Sequence, residues 1–283
     1  MSPWSDAVLA AALIGVDPVG LGGVVLRARA GPVRALWLDL VRKLLPAGPL
    51  RTLPPHCSEE RLIGGVDLAA TLSLGAVRMQ PGLLADVSGG VVLAPMAERM
   101  DDRVARLVAA AMDLGEVVVE REGMAGRIPT RFGVIAIDEG LDEHERAPSA
   151  LRDRLALGGF LDTVSIREAR VDTEALLASV EAARARPEPE AGHAVEPLVA
   201  AAWTFGVFSL RAPMLALNAA RAHARLRGAE RLEDEDLEAA ARLVLGPRAT
   251  RLPPPPDEDP EPPSPPPPSE SPPAEAEGED RPP

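Results

Sequence analysis

The chain has 283 residues and a formal net charge of −13, unevenly spread. Residues 252–283 hold 15 of the 31 prolines and nine acids against one arginine, a net of −8, which leaves −5 on the preceding 251 residues. The acidic balance therefore belongs largely to a proline-rich tail, expected to be disordered with polyproline II character, and the globular part carries no electrostatic case for nucleic-acid binding.

Cys57 stands alone, so there is no disulfide framework and no zinc site from cysteine. The longest apolar runs, such as Ala7 to Val16, are too short to span a bilayer. Asp6 precedes the first basic residue, unlike the basic start of a signal peptide. Together these point to a cytoplasmic protein. With no Tyr and seven aromatics, the Ala, Arg and Pro richness reads as a genomic composition bias, so single arginines carry little weight.

The first element expected is a short apolar helix over 4–15, with Asp6 in its first turn. Gly20 to Gly23 lead into a strand over 24–28, and a helix over 33–45 ends at Pro46. The irregular stretch that follows includes "LRTLP", read as a second short strand. Residues 67–90 read as helix, hairpin-like turn and short helix. Gly90 to Met96 is a continuous apolar run of the buried parallel-strand kind. Asp101 to Gly115 has an Asp at its start, a Val104/Leu107/Val108/Ala111 face and a Gly at its end, the marks of a helix. A β-hairpin over 116–132, a buried strand from Phe132 to Ile137 and a helical "APSALRDRLA" follow. Beyond about residue 170 four helical segments succeed one another. Strands alternating with helices imply a parallel α/β sheet with helices on both faces.

Strand, small-residue loop, helix is the layout of a phosphate-binding loop, which requires Gly-x-x-x-x-Gly-Lys-Ser/Thr. On that frame the chain reads Ala28-Arg29-Ala30-Gly31-Pro32-Val33-Arg34-Ala35. Arg34 takes the lysine place, Ala35 the hydroxyl place, and Pro32 removes a backbone donor where donors are needed. The plainer reading is a strand–helix turn with a stray basic residue. Hydrolysis would also need a strand ending in Asp-Glu to hold Mg²⁺ and activate water, and here Pro95 and Met96 occupy those places. Glu98 is two residues on, expected on a solvated turn. Arg154 lies in "ALRDRLA" after the third buried strand, where an arginine either reaches a neighbouring subunit's phosphate or makes a surface ion pair. Arg211 opens a lid helix, where a cation is electrostatically unfavourable without a partner. His56 and Cys57 lack further ligands, and "DEGLDEHE" (138–145) lacks Ca²⁺-loop spacing and reads as a solvated acidic loop. No metal site and no nucleophile–His–acid set is identified.

In this order, these pieces resemble the D subunits of magnesium chelatases, within the AAA+ superfamily. The resemblance runs from about residue 10 to the end. It rests on "RLIGGVDLAATLSLGAVRMQPGLLADVSGGVVL", on "GEVVVEREGMAGRIPTRFGVIAI", on "LRDRL" and on "SLRAPMLALNAARAHARLRG". By resemblance, Arg154 falls on the trans arginine-finger position and Arg211 on the sensor-2 position. Gly31, Arg34 and Arg211 would then form a degenerate nucleotide site, with ATP bound weakly or not at all. The lost Lys-Ser and Asp-Glu pairs resemble D subunits and not the hydrolytic I subunits. The sensor-1 place holds the acidic pair Asp138/Glu139. D subunits continue past the acidic linker into an integrin-I-like domain, so this sequence is expected to be a fragment.

The resemblance implies an AAA+ three-layer α/β domain over 1–168, an all-α lid over 169–249 and a disordered tail over 250–283. It implies a non-hydrolytic platform in ATP-driven insertion of Mg²⁺, the complex's substrate, into protoporphyrin IX for (bacterio)chlorophyll synthesis. Expected partners are the I subunit, the porphyrin-binding H subunit and further copies in a ring, with no membrane span. Two alternatives stay open: an unusual ATPase that uses Arg34, and a structural adaptor unrelated to tetrapyrroles.

Overall fold

The computed structural model describes residues 2–66, 68–75, 78–121, 124–142 and 144–251. The expected disordered tail therefore lies outside the described residues, apart from its first two positions. Helix α1 (Pro3–Val16) begins with Ser2 accepting from the Ser5 N–H and proline at the first helical position. Strand β1 (Gly23–Arg27) leads to α2 (Pro32–Leu44). Next come β2 (Leu50–Thr52), α3 (Glu59–Ile63), β3 (Gly64–Val66), α4 (Leu68–Leu74), β4 (Met79–Pro81), α5 (Leu83–Asp86) and β5 (Val91–Ala94). Helix α6 (Asp102–Leu114) is capped by Asp101 and stopped by left-handed Gly115, the two signals its sequence carries. The hairpin β6 (Glu116–Arg121) and β7 (Met124–Pro129) precedes β8 (Gly133–Asp138).

One expectation fails next. "APSALRDRLA" forms only the single turn α7 (Ser149–Arg152), and the chain then makes a strand, β9 (Leu157–Phe160), that the sequence reading omitted. Its sequence is Leu-Gly-Gly-Phe, without a β-branched residue, and propensity argues against it. Tertiary pairing overrides this: Val24 to Arg27 of β1 align in parallel with Leu157 to Phe160. The sheet order is β2-β5-β8-β1-β9, wholly parallel.

The helices α8 (Thr173–Ala185), α9 (Val195–Thr204), α10 (Ala212–Arg227) and α11 (Asp234–Ala240) complete the described chain, α11 running on into a wider turn over Ala241–Leu245. They do not form a core of their own. One buried cluster joins Leu26 and Ile137 of the sheet, Leu13 and Trp37 of α1 and α2, and Val180, Leu198 and Leu217 of the later helices. Alternate residues of the same strands, Val92, Val134 and Ala136, pack with Val104 and Val108 of α6 in a second cluster on the other face. Hydrogen bonds reinforce the joint: Arg184 Nε donates to the Gly15 carbonyl at 2.7 Å and Asn218 Nδ2 to the Gly20 carbonyl at 2.8 Å. Among the described residues, no helix is long and apolar enough to cross a membrane.

Candidate functional site

The phosphate-loop candidate follows the C-terminal end of β1, where ligands bind in open parallel sheets. A cavity of about 400 Å³ opens there, lined by Ala28 to Arg34 on one side and Leu161, Asp162, Val164 and Ile166 on the other. Gly31 sits just before α2 in fully extended backbone (φ 172°, ψ 173°), and a Cβ added to it would find nothing nearer than the Arg29 carbonyl oxygen at 4.0 Å. Neither left-handed backbone nor close approach demands glycine here.

The loop's cations already have carboxylates. Arg34 Nη1 stands 2.7 Å from Glu139 Oε1, with both side chains about three-quarters buried. The backbone N–H of Arg29 donates to Asp162 Oδ1 at 2.7 Å, and its exposed guanidinium lies 3.5 Å from Asp162 Oδ2. At the end of β5, Pro95 and Met96 stand where metal-holding acids belong, and Met96 is in left-handed backbone (φ 50°). That turn sends Ala97–Arg99 into a short 3₁₀ segment and buries Glu98. Glu98 is not on a solvated turn: its side chain is 4% exposed, and Oε2 accepts the Glu139 N–H at 2.9 Å. Asp138 departs from the solvated acidic loop too. It is buried, and its two oxygens accept the N–H groups of Gly140 and Ala147 at 3.0 and 2.9 Å, closing the loop on itself. No group of three or more His, Cys, Asp or Glu able to hold a metal occurs among the described residues.

A magnesium nucleotide does not fit these residues as they stand. Pro32 lacks a donor, the Arg29 N–H and Arg34 are taken by carboxylates, Pro95 and Met96 at the end of β5 bring no carboxylate, and that of Glu98 already holds the Glu139 N–H.

Arg154 and Arg211 form a second centre. Arg154 lies beside Gly22, whose added Cβ would sit 2.2 Å from the Arg154 carbonyl oxygen. Gly22 precedes β1 and the phosphate loop follows it; six residues at ~3.3 Å each put the two centres roughly 20 Å apart. Arg154 grips Asp113 at the end of α6 with Nε on Oδ1 at 3.0 Å and Nη2 on Oδ2. Arg211 approaches the same carboxylate, Nη1 at 2.9 Å and Nη2 at 3.1 Å, and reaches Asp153 at 3.4 Å. Partial burial alone would raise the Asp113 carboxyl; the hydrogen bonds and charges of Arg154 and Arg211 outweigh it and hold the carboxyl below its ordinary value. Arg211 thus joins Arg154 and not Gly31 and Arg34, correcting the expected grouping. Its unfavourable position at a helix start is offset by these two acids, which belong to the α/β part.

Sequence reasoning missed Asp113, Asp162 and buried Glu98. Only Asp113 carried a signal, an acid one residue before the helix end, where the dipole disfavours it unless cations are near.

The lid exposes apolar side chains: Val195, Val199 and Trp203 at i, i+4, i+8 on α9, then Phe208, Leu210 and Met214. Trp203 is 77% and Leu210 93% exposed, unusual for a chain with three Trp and four Phe.

Three comparisons bear on this geometry. The AAA lid domain family matches residues 195–268. The chain is 38% identical over 254 residues to the magnesium-chelatase 60 kDa subunit of Rhodobacter capsulatus, an alignment covering 87% of this chain and 42% of that protein. It is 27% identical to the 38 kDa subunit of the same organism, over 88% of this chain and 86% of that protein. The chain thus spans under half the length of the 60 kDa relative it matches. A crystal structure of a candidate ATPase from Cytophaga hutchinsonii superposes with a TM-score of 0.59 at 15% identity, covering 84% of this chain and 80% of that one. The parallel sheet, flanking helices and AAA-type lid are therefore the architecture of this chain.

Proposed function

We propose that this chain, similar over most of its length to magnesium-chelatase subunits, is the AAA+ part of a D-type subunit. It acts as a non-hydrolytic platform for the ATP-hydrolysing 38 kDa-type subunit, in a complex that inserts Mg²⁺ into protoporphyrin IX. The observation that carries this reading is the filled phosphate loop: Glu139 pairs with Arg34, Asp162 accepts the Arg29 N–H, and β5 ends in Pro95-Met96. The higher identity to the 60 kDa than to the 38 kDa relative supports the D assignment. Apolar Trp203, Phe208 and Leu210 on the lid support assembly with another subunit, since large exposed patches mark interaction surfaces. In this reading Arg154 leaves Asp113 on assembly and meets the neighbouring subunit's nucleotide in trans.

The test is ATP turnover by the 38 kDa-type subunit with and without this chain, and with Arg154→Ala. The chain alone is expected to give no turnover, and the wild type to alter the partner's rate where Arg154→Ala does not. Turnover by the isolated chain that Arg34→Ala abolishes would replace the platform reading with a genuine ATPase. An unchanged partner rate and no co-assembly would remove the chelatase role.

A further inference from the structure

Strand β5 leads into a turn that its residues do not favour. Among the described residues, Met96 is the one non-glycine residue with a positive φ (φ 50°, ψ 48°). Such backbone costs free energy and persists only where its surroundings over-determine it, most often at a functional site. Its effect here is to fold Ala97–Arg99 back as a 3₁₀ segment and to bury the Glu98 side chain.

A carboxylate taken out of water needs compensating donors. Among the described residues Glu98 has two polar partners. Its Oε2 accepts the Glu139 N–H at 2.9 Å, and its Oε1 lies 3.5 Å from Nε of Arg99, an arginine that is 70% exposed. The shorter contact is thus spent on one backbone amide, reaching from the end of β5 to the end of β8, its parallel neighbour. That amide belongs to the residue whose carboxylate pairs with Arg34 at 2.7 Å. The same Arg34 nitrogen lies 3.4 Å from the Ala28 carbonyl oxygen. Asp138 holds the following N–H, that of Gly140, so the backbone of Glu139 is pinned on both sides. Asp138 does this within its own loop, whereas Glu98 comes from another strand end. Pinning the backbone lowers the conformational entropy that Glu139 must lose to hold Arg34.

We propose that Glu98 is a positioning residue for the phosphate loop: through the Glu139 amide it holds the Glu139 carboxylate against Arg34, and so governs how open Arg34 is to phosphate oxygens. The proposal rests on the filled-loop reading above and adds to it a residue that does not line the loop's cavity. Glu98 acts without touching a ligand.

The experiment is a titration of the full chain with a fluorescent ATP analogue. Glu98→Ala removes the acceptor and should strengthen binding about threefold, within the range that loosening one partly exposed ion pair allows. Glu98→Gln keeps an acceptor oxygen at the same reach and should restore wild-type binding. If Glu98 acted through its negative charge alone, Glu98→Gln would strengthen binding as much as Glu98→Ala. Glu139→Gln should strengthen binding about fivefold, and its combination with Glu98→Ala also about fivefold, since both act on one contact. Where Glu98→Ala does not fold, Glu98→Met, of similar length and without an oxygen acceptor, carries the same expectation. Unchanged binding in the acceptor-free variant that folds, equal strengthening by Glu98→Gln, a gain in the double variant that multiplies the two single gains, or no binding by any variant at about 1 mM would each overturn the proposal. These are failures of binding, whereas the platform reading fails by turnover of the isolated chain or an unchanged partner rate, so the two are told apart.

Discussion

Asp236 offers a well-defined perturbation outside the candidate site. The residue is fully buried at the start of α11 and accepts four hydrogen bonds: two from Arg227 at 2.8 and 3.0 Å, one with His223 Nδ1 at 2.6 Å and one from the Glu233 N–H at 2.9 Å. Replacing it by Asn keeps the size and removes the charge. Breaking a buried ion pair generally costs about 3–5 kcal/mol, because the remaining charge is orphaned. Here Arg227 keeps Glu233 at 3.0 Å and Glu235, so it is not orphaned. The loss then reduces to weakened charged hydrogen bonds, about 2–3 kcal/mol for Asp236→Asn. For a folded unit of this size that is a fall in Tm of roughly 4–12 °C, read by calorimetry at pH 7. The pH dependence supplies a second check. Burial alone would raise the Asp236 carboxyl, yet the Arg227, Glu233 and His223 hydrogen bonds bring it below its ordinary value. A depressed carboxyl contributes stability that is present above the unfolded-state value near 4 and lost as pH falls through the folded value. The gap between wild type and Asp236→Asn should therefore be full at pH 6–7 and close progressively below about pH 4. A Tm difference under about 1 °C, or a gap unchanged down to pH 2.5, would refute the assignment of this network as the tie between α10 and α11.

Three further outcomes are expected. Gly23→Ala should destabilise severely, because its φ is 132° and a Cβ would meet the Val134 carbonyl oxygen at 1.8 Å; Gly31→Ala, in extended backbone with open space, should shift stability by under about 1 kcal/mol in the same denaturation assay. Asp113→Asn should lower stability by about 1 kcal/mol at pH 7, a loss kept small by solvent around Arg211 and vanishing below about pH 4, as thermal melts across pH would show. Glu139→Gln should release Arg34 and strengthen binding of a fluorescent ATP analogue about fivefold, and unchanged affinity would show that the ion pair does not oppose phosphate.

The most legible parts of the fold are those whose local chemistry agrees with their tertiary surroundings. Helix α6 carries both its caps in its own residues, and β1, β5 and β8 are apolar runs because both their faces are covered. β9 was illegible because Gly158 and Gly159 have no strand preference of their own; what holds them is the ladder to β1 and the close approach of Pro247 to Gly158. At the candidate site, the missing Lys, hydroxyl and Asp-Glu were readable as missing letters. Their replacements were not, because Glu139, Asp162 and Glu98 come from three different loops that only the sheet order brings together.

On the platform reading proposed above, the filled loop also bears on how a hydrolytic site can be lost without losing the fold. An AAA+ apex gathers donors and cations at the ends of β1 and β8, and a bound nucleotide normally neutralises them. Without that ligand, Arg34 would stand partly buried and unpaired. Glu139 supplies the counter-charge from the adjacent strand end, and Asp162 takes the Arg29 N–H from across the cavity. Displacing these two acids costs an entering phosphate about 1 kcal/mol each, roughly a 30-fold loss of affinity. The donor that Pro32 lacks removes a charged hydrogen bond of about 1.5–3 kcal/mol, a further tenfold or more. On the platform reading the acids therefore do two things: they stabilise the apex in the absence of nucleotide, and they oppose its entry. Restoring a lysine at position 34 would not revive the loop, because the same carboxylates would neutralise it.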